Sequence, residues 1–123
     1  MDQIQVLIAD DHELFAEALA AILAVDERIA VRGTARDGRE AVALAAELKP
    51  DVILMDISMP VMDGIEAAAE LKAAEAKAQV LILTGSNSRE DVDRARQAGV
   101  SGYLTKDRIA AELIDAIVGI AGR

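Results

Sequence analysis

Four short patches of the chain carry groups that suit one piece of chemistry. They are Asp10 and Asp11, then Asp56 heading the run Asp-Ile-Ser-Met-Pro-Val-Met-Asp-Gly that ends at Gly64, then Thr84 with Gly85, and finally Lys106. Carboxylates are oxygen donors for a hard divalent cation, and a hydroxyl with an ammonium can hold the oxygens of a phosphoryl group. Each patch follows or closes a short apolar run. If those runs are parallel strands of one open sheet, their carboxyl ends converge where ligands sit in α/β folds.

The runs have the character this requires. Val6 to Ala9, Val52 to Met55 and Val80 to Leu83 are continuously apolar, the pattern of parallel strands covered on both faces. Ile29 to Thr34 alternates and includes Arg32, and Gly102 to Thr105 is short, so both suit sheet edges. Between them lie helical stripes: Leu14, Phe15, Ala18, Leu19, Ile22 and Leu23; then Ala41, Val42, Leu44, Ala45 and Leu48, stopped by Pro50; then Ile65, Ala68 and Leu71. A fourth helix is predicted from Arg89 to Ala98 and a fifth from about Ala110 to Ala121.

Right-handed crossovers turn five consecutive βα units into a definite topology. The predicted fold class is α/β: a three-layer α/β/α sandwich with a five-stranded parallel sheet of order 2-1-3-4-5, flavodoxin-like. Helices one and five fall on one face, helices two to four on the other. The strand order reverses between strands one and three, so Asp10, Asp11 and Asp56 fall at the topological switch point.

Composition narrows the function. At 123 residues without linker or repeat, residues 1–123 are expected to form one domain. The 22 acidic and 13 basic residues give a formal charge of −9 with no basic run, which argues against direct nucleic-acid binding. Cysteine is absent, so there is no disulfide or thiolate metal site. No apolar stretch approaches a membrane span and Met1 leads directly into a strand-like run, so a cytoplasmic protein without membrane association is expected.

Several residues have plain structural readings. Asp10-Asp11 alone fits a helix N-terminus equally well, and Thr84 or Lys106 alone reads as structural. Asp56 differs, because a carboxylate at the end of a buried strand is costly without a partner. His12, the single histidine, reads as a helix-start residue and not a ligand, since no second His or Cys accompanies it. Gly64 and Gly99 read as turn or cap residues, and Met55, Met59 and Met62 as packing. A phosphatase of the haloacid dehalogenase type would need an acid where Ser58 stands. A nucleotide site would need glycines that Asp10-Asp11-His12-Glu13 lacks.

In combination these motifs resemble the receiver domain of bacterial two-component response regulators, over the whole chain. The resemblance rests on the acidic pair, Asp-x-x-Met-Pro-x-Met-Asp-Gly from Asp56 to Gly64, Thr84, and Tyr-x-x-Lys from Tyr103 to Lys106. Asp10-Asp11-His12 and Lys106-Asp107 are similar to the subgroup that precedes a LuxR/NarL-type helix-turn-helix. Many receivers have proline where Asp107 stands, so a trans peptide is expected there.

The resemblance implies that Asp56 is the phosphoacceptor for a sensor histidine kinase. It implies Mg²⁺ held by Asp11, Asp56 and the main-chain carbonyl of Ser58, with Asp10 on a metal-bound water. Thr84, Gly85 and Lys106 would bind the phosphoryl group, and Thr84 with Tyr103 would form the switch. Such a domain is no enzyme on a separate substrate; it catalyses its own phosphorylation and dephosphorylation. The output would be a DNA-binding domain outside this sequence, or protein–protein contact by a single-domain regulator. Ile109, Leu113, Ile114, Ile117, Val118 and Ile120 give helix five a wide apolar arc. That arc fits either a homodimer surface, through helix five or the helix 4–strand 5–helix 5 face, or broad packing on the domain itself.

Overall fold

The structure, a computed structural model, describes residues 2–85 and 88–122. Five strands, β1 (Ile4–Ala9), β2 (Ile29–Ala35), β3 (Val52–Asp56), β4 (Gln79–Thr84) and β5 (Gly102–Thr105), alternate with α1 (Glu13–Ala24), α2 (Gly38–Leu48), α3 (Gly64–Ala73), α4 (Arg89–Gln97) and α5 (Ile109–Ala121). All strand pairings are parallel and the order is β2-β1-β3-β4-β5. β1, β3 and β4 are the interior strands, as their unbroken apolar runs require.

Alternation along each strand divides the core into two. Leu7, Ala9, Ile53, Met55, Val80 and Ile82 face α2, α3 and α4, where they meet Ala41, Ile65, Leu71 and Ala95. Ile4, Val6, Ile8, Leu54, Leu81 and Leu83 face α1 and α5, where they meet Leu19, Leu23, Leu113 and Ile117. The predicted distribution of helices over the two faces is therefore observed.

Local signals set the ends of the helices. Asp37 caps α2 by accepting from the Glu40 N–H, and Asp63 caps α3 in a reciprocal capping box with Glu66. α2 ends at Lys49 in the left-handed region (φ 49°), just before Pro50. α5 begins at Ile109, one residue earlier than expected, behind a 3-10 turn at Lys106–Arg108. No peptide among the described residues is cis, including that of Lys106-Asp107.

Two sequence expectations are corrected. Leu14, placed on the inner stripe of α1, is 82% exposed; the seam runs through Ala16, Leu19 and Leu23, and Leu14 and Ala18 lie off it. Gly64 is no turn residue, since it opens α3 and is not among the positive-φ glycines, which are Gly99 and Gly122. It is required for a close approach: a Cβ there would lie 2.1 Å from the Asp56 carbonyl oxygen and 2.8 Å from Met55 Cγ.

Candidate functional site

The carboxyl ends of β1 and β3 bring the acids together. The Asp10 N–H donates to the Ala35 carbonyl (2.9 Å), fixing the end of β1 against β2, and the Asp10 carboxylate accepts from the His12 N–H (2.8 Å). Asp56 closes β3 as its last residue. The side chains of Asp10 and Asp56 are only 2% and 6% exposed. Lys106, first residue after β5, reaches both: Nζ lies 3.8 Å from Asp10 Oδ2 and 3.6 Å from Asp56 Oδ1. Asp11 is exposed, with His12 Nδ1 3.3 Å from its Oδ1 and also 3.3 Å from Asp10 Oδ1. One donor atom from each of Asp10, Asp11, His12 and Asp56 fits within a mutual distance of 4.8 Å.

Burial pushes the Asp56 carboxyl above the usual carboxylate range, and the Asp10 charge pushes it further, while Lys106 and its positive charge pull it back. Two buried carboxylates thus share one ammonium, with the exposed Asp11 carboxylate beside them. A divalent cation would offset that imbalance, and the carboxylate oxygens suit Mg²⁺, which needs few protein carboxylates because it keeps several waters.

The loop from Ile57 to Asp63 holds Asp56 in place. Its Met62 N–H donates to the Pro60 carbonyl (2.7 Å) across Val61, whose φ is 68°. This is a γ-turn with the strained sign of φ, unusual for a β-branched residue. The Gly38 N–H donates to the Met62 carbonyl (2.9 Å) and the Gly64 N–H to the Ile57 carbonyl (2.9 Å), so α2 and α3 both fasten the loop. Ser58 lies exposed in it.

Thr84 is buried at the end of β4, and Gly85 follows it at the surface. Burial raises the pKa of the Tyr103 phenol, and the neighbouring Thr84 hydroxyl pulls it back. Gly85 and Tyr103 also border a hollow of about 560 Å³ with Val92, Thr105, Arg108 and Glu112, between α4, β5 and α5. On α5, Ile109, Leu113 and Ile117 are buried, whereas Ile114, Val118 and Ile120 pack on the same core and remain partly exposed.

The predicted residues fall into two groups, Asp10, Asp11, Asp56 and Lys106 in one and Thr84, Gly85 and Tyr103 in the other, with Ser58 in the loop after β3. Sequence reasoning missed three contacts. Lys106 Nζ lies 4.3 Å from the centroid of the Phe15 ring, which was assigned only to the core. The side chain of His12, at the α1 N-cap, turns back into the acids. Asp63, besides capping α3, accepts from Arg94 Nη2 of α4 (3.2 Å). The backward tilt of helical side chains toward the N-terminus was an available signal for Phe15, in the first turn of α1.

A doubly wound sheet with buried acids and one lysine at its switch point defines a class of α/β domains whose polar groups gather at the carboxyl ends of the strands. The chain belongs to the response regulator receiver domain family, whose profile matches residues 6–118. It is 43% identical over 116 residues to the uncharacterized transcriptional regulatory protein YxjL of Bacillus subtilis, covering 94% of this chain and 53% of that protein. It is 41% identical over 114 residues to the response regulator protein VraR of Staphylococcus aureus, covering 93% of this chain and 54% of that one. The chain thus spans about half the length of these curated relatives. Among solved structures, the receiver domain of the response regulator NarL from Mycobacterium tuberculosis superposes with a TM-score of 0.95 at 34% identity, covering 99% and 98% of the two chains. A LuxR-family response regulator from Aurantimonas superposes with a TM-score of 0.92 at 33% identity, covering 99% and 88%. The chain is a signalling domain with LuxR-type relatives, and no helix among its described residues is long and apolar enough to cross a membrane.

Proposed function

We propose that this domain is a phosphorylation-dependent switch in which Asp56 takes a phosphoryl group from a sensor histidine kinase. The observation that carries the reading is the placement of Asp56, buried at the strand end, 3.6 Å from the Lys106 ammonium and beside Asp10 and Asp11. Residues 1–123 act as one receiver domain in the cytoplasm.

Asp56 is the nucleophile. One of its carboxylate oxygens attacks phosphorus as the bond from phosphorus to the donor's leaving group breaks, leaving an acyl phosphate that water can later hydrolyse. Asp11, Asp56 and the Ser58 carbonyl would hold Mg²⁺, with Asp10 on a metal-bound water, and the bound ion would supply charge stabilisation for the transferring group. Lys106 supplies a second positive charge, and the Thr84 hydroxyl and the Gly85 N–H bind remaining phosphoryl oxygens.

The switch follows from the closeness of Thr84 to Tyr103. When the Thr84 hydroxyl turns to the phosphoryl group, Tyr103 loses that neighbour and repacks, which changes the surface of α4, β5 and α5. That surface, or the partly exposed side of α5, then makes a homodimer or meets another protein. A DNA-binding output domain, suggested by the LuxR-family likeness, would read the change; the domain itself, with its charge of −9, does not bind nucleic acid. Incubation with Mg²⁺ and phosphoramidate tests the acceptor: intact-mass spectra should show one added phosphoryl group in the wild type and none in Asp56→Asn. Equal labelling of the two would overturn the assignment.

A further inference from the structure

We propose that His12 is a metal ligand of this site, and that its imidazole biases the site toward first-row transition ions such as Mn²⁺ over Mg²⁺. The inference rests on the reading of Asp10, Asp11 and Asp56 as a cation site and adds to it a nitrogen donor. Two donors cis to one another on an octahedral ion with bonds of about 2.1 Å lie about 3.0 Å apart. His12 Nδ1 stands 3.3 Å from Oδ1 of the ligand Asp11, so a shift of a few tenths of an ångström brings it to that spacing; it stands equally far from Oδ1 of Asp10, the hydrogen-bond partner that keeps the ring at the site.

Three features hold the imidazole there. The His12 N–H is tied to the same Asp10 Oδ1 at 2.8 Å, which fixes the backbone that carries the ring. The ring makes no capping bond to α1, so coordination disturbs no helix contact. Without metal, a ring proton on Nδ1 can be shared with either carboxylate; an ion replaces that proton, and the neutral tautomer keeps its hydrogen on Nε2, toward solvent. Carboxylate and water suit Mg²⁺ and Mn²⁺ alike, whereas imidazole adds affinity chiefly for the transition ions.

The chain has one histidine and no cysteine, so a directly bound nitrogen from an imidazole identifies itself. Untagged protein would be titrated with Mn²⁺ at pH 8, free ion being followed by its EPR signal, and the bound ion read by pulsed EPR for ¹⁴N modulation. We expect ¹⁴N modulation in the wild type and its loss in His12→Ala. We also expect the Mn²⁺ dissociation constant to rise by about tenfold or more in that variant. The Mg²⁺ constant, measured by competition, should change far less. His12→Gln should behave as His12→Ala does. Mn²⁺ bound in the wild type without ¹⁴N modulation would overturn the role of His12 and leave the carboxylate site standing. No Mn²⁺ or Mg²⁺ binding at all would overturn the cation site itself.

Discussion

Asp56 is the proposed phosphoacceptor, and its protonation carries a stability consequence. Burial and the Asp10 charge raise its folded pKa above the ordinary value of 3.8, so the native state holds this proton more tightly than the unfolded chain does. Folding stability attributable to Asp56 is therefore greatest below pH 3.8 and declines as pH rises through the folded pKa, above which the full penalty is present. Asp56→Asn should raise the melting temperature of the metal-free protein at pH 7.5, by about 3–5 °C for each kcal/mol released. The gain should vanish in acid. A variant less stable than wild type at pH 7.5 would contradict the view that Asp56 is held ionised at a cost. Saturating Mg²⁺ should raise the wild-type melting temperature by linkage, and Asp11→Asn should blunt that response. The acids and the lysine were legible from type and strand-end position. The proximity of His12 to two carboxylates was not, because one histidine at a helix start offers no periodicity to read.

Elements position these residues through contacts that tolerate little change. Gly64 lets α3 start against the Asp56 carbonyl; the Cβ of Gly64→Ala would sit 2.1 Å from that backbone oxygen, which no rotamer change relieves. Urea unfolding should show a loss of about 2–3 kcal/mol or more, with phosphorylation impaired. Asp63→Ala removes both the α3 cap and the bond from Arg94, and should destabilise by about 1–2 kcal/mol while leaving Asp56 able to accept a phosphoryl group. Comparing it with Arg94→Ala, which removes the tie from α4 and keeps the cap, separates the two contributions. Strand identity was readable because buried parallel strands are apolar on both faces. The exposure of Leu14 was not, since α1 carries more apolar residues than its seam uses: Leu14 joined the stripe by composition, while the seam at Ala16, Leu19 and Leu23 was chosen by packing on the sheet. The role of Gly64 was misread because a close approach between segments leaves no local mark.

Across the whole molecule, the sheet joins an acidic site on β1 and β3 to a surface on α4, β5 and α5, with Thr84 at the end of β4 and Tyr103 on β5 between them. Topology was legible because alternating runs and right-handed crossovers leave few arrangements. Whether the wide apolar arc of α5 is spent on the core was not, and the structure divides it: one side is buried and the side with Ile114 and Val118 stays partly exposed. If that side forms a homodimer, Ile114→Glu should yield monomers by sedimentation without loss of phosphorylation. Thr84→Ala should leave Asp56 able to accept a phosphoryl group and uncouple it from the distant surface. The most direct test of the switch is amide NMR of the wild type with Mg²⁺ and beryllofluoride, which mimics the acyl phosphate. The predicted result is a set of shifts that extends from Asp56 through Tyr103 into α4 and α5 and retracts to the pocket in Thr84→Ala. Shifts confined to the Asp56 pocket in the wild type would contradict the account.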